Sequence, residues 1–323
     1  MNRIWLALVC LLPLETALAQ DQSDWLRRME QAASTISYRG DFVFVRGDLM
    51  RHMRVVHLVD SEGVHQRVFS LDGPPNETLL GGGQPGLMAA SGYGGSAETE
   101  NLPFSTLLPQ RLQALNGLYQ ISLGGIDRVA EHQAQVVNVE PEDGYRFGFR
   151  LWSELGSGLL LRAQMLNSTG QVIEQFSFSS VDLDAAGGSI PVAEVQLSPP
   201  QLLAPETGHL TNWRVGKIPP GFALQSMRRY AGQRQAVVDH LLFSDGLATV
   251  SVFIEPVQDG DEFSNQSVNT GIVNALTGTV SDNQVTVMGE VPVATLSMIF
   301  NSLQPGGLAA SAESTAPSDP VGQ

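Results

Sequence analysis

The side chains that most often bind metals or transfer protons are scattered in this sequence. The six histidines are His52, His57, His65, His132, His209 and His240. His52 and His57 are five residues apart, so on one strand they point to opposite faces. In a hairpin that turns at residues 60–63, His65 pairs with Leu58 rather than with His57. This spacing favours polar sheet surface over a metal site.

Short catalytic motifs are absent from the sequence. It contains no HExxH zinc signature, no Walker-type phosphate loop and no GxSxG nucleophile elbow. The glycines from Gly81 to Gly86 lack the lysine and the strand–helix setting of a phosphate loop, which favours a flexible loop. A hydrolase site assembled from distant residues stays open as the less favoured alternative. We therefore predict a protein that is not an enzyme and that uses no metal and no cofactor.

Arginines carry the remaining candidate chemistry, because a guanidinium group binds carboxylates and phosphates through paired N–H bonds. Against a net charge of -15, three local groups stand out: Arg27–Arg28, Arg51 with Arg54, and Arg228–Arg229 with Arg234. One interpretation is solvated charge, and the other is recognition of an acidic protein segment or of lipid phosphates. The acidic balance, with Lys217 as the single lysine, argues against nucleic acid as a ligand.

The elements that must position these groups are mostly strands. Between Glu142 and Leu183, apolar residues alternate with polar ones in three successive segments, which is the pattern of a sheet with one apolar face. We predict a meander whose first turn is a three-residue loop ending at Gly158. Its second turn, at residues 168–169, sets Leu161 opposite Phe176. Arg146 then points away from the apolar face.

The chain before this meander has a similar β-rich pattern. We predict a first helix over Ser23–Ile36, with Ser23 as its N-cap, and a second over Phe104–Leu115. Between and after them we predict strands at Tyr38–Arg46, Met50–Val59, Val64–Leu71, Tyr119–Leu123 and Val129–Val139. The glycine-rich stretch Gly73–Asn101 is a long loop, and such loops in compact domains are mobile or functional.

Composition divides the chain into five parts. Residues 1–19 have the basic start, apolar core and small-residue end of a cleaved secretory signal peptide, which makes Gln20 the first mature residue. Residues 20–183 form a large domain, and the Pro- and Gly-containing segment Asp184–Thr211 is an interdomain connector. Residues 212–304 form a smaller domain with a hairpin, a further strand and a helix, at His240–Ile254, Gln284–Gly289 and Pro292–Leu303. Residues 305–323 are a disordered tail.

The predicted fold class is therefore mainly β, within α+β. The large domain is an unclosed antiparallel β-barrel or curved sheet with a few helices, and the small domain is an antiparallel sheet with one C-terminal helix. The apolar face of the large domain is either an ordinary closed core or the wall of a cavity that holds an acyl chain. In the second case the lipid-contacting residues are Phe42, Phe44, Tyr145, Phe147, Phe149, Leu151, Leu161, Phe176 and Phe178.

Several segments, in order along both domains, resemble the MucB/RseB family of periplasmic sigma-E regulatory proteins. They include GDFVFV at Gly40–Val45, VVNVEPEDGYRFGFRLW ending at Trp152, KIPPGFAL at Lys217–Leu224 and LLFSDGLATVSVFIEP at Leu241–Pro256. Each segment alone is weak, but the ordered combination is specific. The resemblance implies a large domain like the lipoprotein carriers LolA and LolB. It also implies partner contacts in the small domain, which we assign to Arg228, Arg229, Arg234 and Trp213.

The function implied by this resemblance is the silencing of an envelope-stress sigma factor in the periplasm. Members bind the periplasmic domain of a single-pass anti-sigma factor of the MucA or RseA type and shield it from proteolysis. Lipopolysaccharide or a related acyl-chain amphiphile displaces them. The alternative is a periplasmic lipid or lipoprotein carrier of the LolA/LolB type, which needs the apolar face but no second domain. The sequence leaves the oligomeric state open, including a homo-oligomer.

Overall fold

Three antiparallel sheets and two helices make up the described parts of the chain. The computed structural model describes residues 15–61, 63–73, 77–81, 117–183, 213–231, 237–257, 266–269 and 272–306. The strands of the largest sheet are β1 (Tyr38–Arg46), β2 (Leu49–Asp60), β3 (Gly63–Ser70), β4 (Glu77–Gly81), β5 (Tyr119–Val129), β6 (His132–Pro141), β7 (Gly148–Glu154), β8 (Leu160–Leu166) and β9 (Val172–Asp182).

The large sheet is open. Its nine strands lie in the order β4-β3-β2-β1-β9-β8-β7-β6-β5, so that β4 and β5 are its two edges. Neighbouring strands are antiparallel throughout. The predicted unclosed antiparallel sheet is therefore confirmed.

Helix α1 (Glu15–Thr35) packs against one face of this sheet, where Trp25, Leu26 and Met29 are buried. Because its first eight residues, ETALAQDQ, contain neither glycine nor proline, nothing stops the helix before Ser23. The prediction that Ser23 caps the helix is wrong, since Ser23 lies inside it. None of the described helices is both long and apolar enough to cross a membrane.

The predicted register of the first turn holds only away from the loop, where Phe149 pairs with Met165. A bulge between Trp152 and Ser153 shifts the pairing by one, so Glu154, not Leu155, closes the loop opposite Leu159 and the predicted three-residue loop is wrong by one residue. Gly158 has a left-handed φ of +80°, as the loop requires. The strand begins only at Gly148, however, so Tyr145 and Phe147 lie in the segment that leads into it.

The second turn of the meander differs from the prediction by two residues. Ala163, not Leu161, pairs with Phe176. Asn167 explains the difference, because its side-chain oxygen accepts hydrogen bonds from two backbone N–H groups of the loop, at 3.0 and 2.9 Å, and so closes a wider turn. Side chains repeat their orientation every second residue, so a shift of two keeps the apolar face intact and only changes the cross-strand partners, which sets Glu174 opposite Met165.

Other parts of the large domain also differ from the prediction. The predicted strand Tyr119–Leu123 is longer than expected and continues to Val129 as β5. The strand predicted at Val129–Val139 is β6, which begins at His132. A turn with left-handed Ala130 and Glu131 joins them. Part of the predicted glycine-rich loop is β4, paired with β3. Residues 82–116 and 184–212, with the predicted second helix and the connector, lie outside the described residues.

The small domain has the predicted architecture. Its elements are β10 (Trp213–Val215), β11 (Ala223–Ala231), β12 (Val237–Ser244), β13 (Thr249–Pro256), β14 (Gln266–Asn269), β15 (Asn274–Val280), β16 (Asn283–Gly289), α2 (Val293–Ser302) and β17 (Leu303–Pro305). Six of the strands form a sheet in the order β11-β12-β13-β16-β15-β14, and β10 pairs with β17. Val250, Val252 and Ile254 alternate into a core that Leu296 and Ile299 of α2 complete.

Candidate functional site

Eight of the nine residues predicted to contact lipid are buried members of a single apolar cluster against the large sheet. The exception is Tyr145, which is half-buried, precedes β7 and is not part of the cluster. Phe176 lies at its centre, with ring centroids 5.0 Å from those of Phe42 and Phe178 in edge-to-face contacts. We call this surface the apolar face.

Helix α1 covers part of the apolar face and is tied to the β7–β8 loop. Arg28 donates hydrogen bonds to the backbone oxygens of Leu155 and Gly156, at 2.6 and 3.1 Å. A Cβ atom on Gly158 would lie 2.9 Å from the backbone oxygen of Arg28. Glycine at 158 is therefore required both by the turn and by the approach of the helix. Arg28 is engaged inside the molecule and is not a free cation for a partner.

Charged residues also lie on the apolar face, and the sequence analysis did not identify them. Arg46 pairs with Glu174 across β1 and β9, with a nitrogen–oxygen distance of 2.7 Å, and the Glu174 side chain is only 3% exposed. Arg51 of β2 stands opposite Phe44. The signal in the sequence was the Gly47–Asp48 turn, because a two-residue turn there places Arg51 on the face of Phe44.

Arg146 fills the junction between the two domains. Its side chain is fully buried, and its Nε donates to Oδ2 of the equally buried Asp245 at 2.8 Å. Its other nitrogens donate to the carboxylate of Asp143 and to the backbone oxygen of Pro220. The guanidinium also lies 5.3 Å from the ring centroid of Phe222. Arg146 thus avoids the apolar face as predicted, but the small domain covers it.

The Asp245 side chain has two roles in this junction. Its Oδ1 accepts the backbone N–H groups of Leu247 and Ala248, at 2.9 and 2.7 Å, and so shapes the β12–β13 turn. Its Oδ2 is thereby directed to Arg146, 99 residues away in the chain. Asp245 lies within the predicted hairpin His240–Ile254, but nothing in the local sequence indicates its distant partner.

Backbone and apolar contacts complete what we call the interdomain junction. Thr295 at the start of α2 donates its hydroxyl hydrogen to the backbone oxygen of Tyr145 at 2.6 Å. Leu247 and Ile272 of the small domain are buried in the same cluster as the apolar face. Gly221 has a φ of +80°, and a Cβ atom there would lie 2.7 Å from a side-chain carbon of Leu118. The loop before β11 therefore reaches the large domain only because residue 221 is glycine.

The residues predicted to contact a partner are dispersed. Trp213 is buried in the core of the small domain, so its indole is part of that core rather than of the surface. Arg229 forms two hydrogen bonds to Asp239, at 2.7 and 3.0 Å. Arg228 is half-buried on β11, an edge strand, opposite His240. Arg234 lies outside the described residues.

The histidines do not form a metal site within the part of the chain that the structure describes, where no group of three or more potential ligands was found. His65 pairs with Leu58, as predicted. His57 is buried and stacks on Tyr38 with ring centroids 4.7 Å apart, and burial lowers its pKa. His240 stacks on Phe253 at 4.4 Å. Burial, and then the charge of Arg228, lower the pKa of His240 to about 4.

Comparison with known families identifies both halves of this architecture. The model of the MucB/RseB N-terminal domain matches residues 21–201, and that of the MucB/RseB C-terminal domain matches residues 207–304. The chain belongs to the MucB/RseB family. The sigma factor AlgU regulatory protein MucB of Pseudomonas aeruginosa is 32% identical over 309 residues, which cover 93% of this chain and 96% of that protein. The sigma-E factor regulatory protein RseB of Escherichia coli K12 is 25% identical over 293 residues, covering 87% and 90%.

Solved structures of MucB extend this match to three dimensions. MucB in complex with periplasmic MucA is 30% identical and superposes with a TM-score of 0.71, covering 89% of this chain and 100% of that one. A second crystal structure, described as that of MucB, is also 30% identical and superposes with a TM-score of 0.58, covering 88% of this chain and 98% of that one. The sequence identity and the coverage are nearly the same for the two MucB structures. The difference between their TM-scores therefore reflects a difference in backbone geometry rather than in which residues are matched.

Proposed function

We propose that this MucB/RseB family protein is a periplasmic negative regulator of an envelope-stress sigma factor. It binds the periplasmic domain of a MucA- or RseA-like anti-sigma factor, protects that factor from regulated proteolysis, and is released by lipopolysaccharide or a related lipid. The observation that carries the proposal is the match of both domains to MucB as crystallised with periplasmic MucA. The predicted signal peptide at residues 1–19 supports the periplasmic location.

The interdomain junction supports a binding role that uses both domains together. A carrier needs only the apolar face, whereas here Arg146 and Asp245 bury a charged pair between the domains. Burying such a pair costs desolvation energy that well-packed apolar residues would not cost. A junction of this kind is therefore better explained by a need to specify how the domains are arranged. We propose that the partner segment recognises this arrangement and that Arg228 contributes a charge contact to it.

The apolar face supports the lipid part of the proposal. It holds eight of the nine predicted lipid-contacting residues in one cluster, and Leu247 and Ile272 of the small domain reach the same cluster. An acyl chain inserted there would compete with these small-domain side chains. A ligand that favours one domain arrangement over another shifts the population between them. We propose that lipid and partner are coupled in this way, with the connector Asp184–Thr211 as the hinge.

The deciding experiment is capture of the purified chain on the immobilised periplasmic segment of its anti-sigma factor, with and without added lipopolysaccharide. We expect stoichiometric capture that lipopolysaccharide reduces. Arg228→Glu should weaken capture and its salt dependence, whereas Arg150→Glu, a change of equal charge at an exposed position on β7, should not. Absence of capture, with lipid co-purifying instead, would favour the lipid carrier.

The lipid role is tested separately by measuring the affinity for an acyl-chain probe. Phe147→Asp and Phe176→Asp should weaken binding more than Arg150→Ala does, because both introduce a charge into the apolar face. Circular dichroism must show that each variant is folded. Equal lipid affinity in folded variants would mean that the apolar face is an ordinary closed core.

A further inference from the structure

An apolar row that crosses the large sheet ends at a cation. Through the strand pairings, Leu151 faces Ala163, Ala163 faces Phe176, Phe176 faces Phe44, and Phe44 faces Arg51. The first four of these residues are buried. On the far side of β2 the ladder to β3 reaches only as far as the residue pair 53–70. Beyond β3, Leu71 still donates to the backbone oxygen of His52, and the next residue, Asp72, binds the backbone N–H and the ring of His52 rather than Arg51.

The guanidinium of Arg51 is incompletely satisfied. Its Nε is buried, and among the described residues it has no hydrogen-bond partner. A buried donor without a partner costs free energy, so native proteins keep few of them. The neighbouring Arg46 differs, because both its Nε and one terminal nitrogen bind Glu174, at 2.9 and 2.7 Å. Arg51 is thus the cation on this face that has no carboxylate partner among the described residues.

Local charge strengthens this contrast. The charges of Arg46, Arg51 and Glu174 sum to +1 (two positive, one negative), in a chain whose net charge is -15. A positive group at the end of an apolar row matches a molecule with a hydrocarbon chain and an anionic head. Guanidinium groups bind phosphate through paired N–H bonds that are stronger than neutral hydrogen bonds.

We propose that Arg51 binds the phosphate head group of an acyl-chain amphiphile whose hydrocarbon chain packs along the row that ends at Phe44. This proposal rests on the proposed lipid role of the apolar face and adds the position and the charge of the head group. The proposal also assigns a function to the second local arginine group of the sequence. Of that group, Arg51 faces the ligand, whereas Arg54 points to the other face and binds Asp41 at 2.6 and 2.9 Å.

The test compares two probes with the same hydrocarbon chain, dodecyl phosphate and the neutral dodecyl maltoside, by calorimetry below their micelle concentrations. Arg51→Gln should weaken binding of dodecyl phosphate by about tenfold or more, because a charged hydrogen bond is lost. The affinity for dodecyl maltoside should change by less than about twofold, because that probe has no charge for Arg51 to bind. Arg54→Gln removes the same charge from the same strand and should change neither affinity. Arg51→Lys should retain part of the preference for phosphate.

A second readout covers the case in which Arg51→Gln folds poorly. Because the Nε of Arg51 is buried without a partner, Arg51→Met should leave the melting temperature unchanged or raise it, while the preference for dodecyl phosphate disappears. A large drop in melting temperature, or an unchanged preference, would overturn the proposal.

The remaining outcomes separate this proposal from the general lipid role. If both probes bind the unaltered chain and Arg51→Gln weakens both equally, the head-group assignment fails and the lipid role stands. If neither probe binds the unaltered chain, both fail. Inorganic phosphate is the third probe, and binding as tight as that of dodecyl phosphate would indicate a free-anion site and overturn the amphiphile proposal.

Discussion

Removing the charge of Arg146 is the most direct test of the interdomain junction. Arg146→Gln keeps a polar side chain of similar reach but leaves the buried carboxylate of Asp245 without its cation. Breaking a buried ion pair from one side costs about 3–5 kcal/mol. Asp245 retains two backbone N–H donors, so we expect a value near the lower end, ~3 kcal/mol.

This cost can be relieved by separation of the domains, because separation returns Asp245 to water. We therefore expect Arg146→Gln to shift the population towards separated domains rather than to unfold either sheet. Thr169 and Asp282 lie at exposed positions in the two domains. Cysteines introduced at these two positions into a chain that starts at Gln20, and so lacks Cys10, allow energy transfer between two dyes to report the separation. Affinity for the anti-sigma segment, measured in parallel, should fall with the closed population.

Two further variants make this prediction specific. Arg150→Gln removes an exposed arginine whose one described hydrogen bond, to Asn138, is 3.2 Å long, and should change neither signal. The double variant Arg146→Gln with Asp245→Asn should cost less than the sum of the single changes, because no fully buried charge is then left unpaired; Asp143, the other carboxylate bound by Arg146, is partly exposed to water. If Arg146→Gln leaves both energy transfer and partner affinity at their original values, the pair does not hold the domains and the reasoning fails.

Three other predictions concern backbone geometry and pH. Gly221→Ala should lower partner affinity more than Gly170→Ala, since both glycines have a left-handed φ but only Gly221 has atoms within 4 Å of a new Cβ. Equal effects would mean that backbone strain, and not contact with the large domain, causes the loss. Gly158→Ala should lower the free energy of unfolding by more than about 1 kcal/mol, and a melting temperature equal to that of Gly170→Ala would contradict the seating of α1 on this loop. The pKa of His240 is lowered to about 4, so the stability linked to its neutral form is present above about pH 6.5 and is lost as pH falls towards about 4. Urea unfolding across this range should show that loss, and His240→Phe should abolish it.

The second turn of the meander shows how the sequence can predict a face correctly and still miss the register. Alternation identified Phe176 and Phe178 as members of the apolar face, because a strand with one covered side needs that period. The predicted position of the turn was wrong because the side chain of Asn167 closes the loop. Turn propensity indicates that a turn is present but does not fix which residues close it. The shift of two changed only the cross-strand partner of Glu174, which is Met165; its place on the buried face follows from its spacing of two from Phe176.

Local sequence therefore determined the alternation of the strands, the left-handed Gly158, the pairing of His65 with Leu58 and the family to which the chain belongs. Each of these features depends on residues that are neighbours in the chain or on the order of short segments. Both kinds of information are present in the sequence itself. Only the tertiary structure decided the partners of the charged residues. Arg146 meets Asp245 across two domains, and Arg51 comes to stand at the end of a row built from five strands. Such contacts join residues far apart in sequence, and the cost of burying a charge there depends on groups that no local pattern contains.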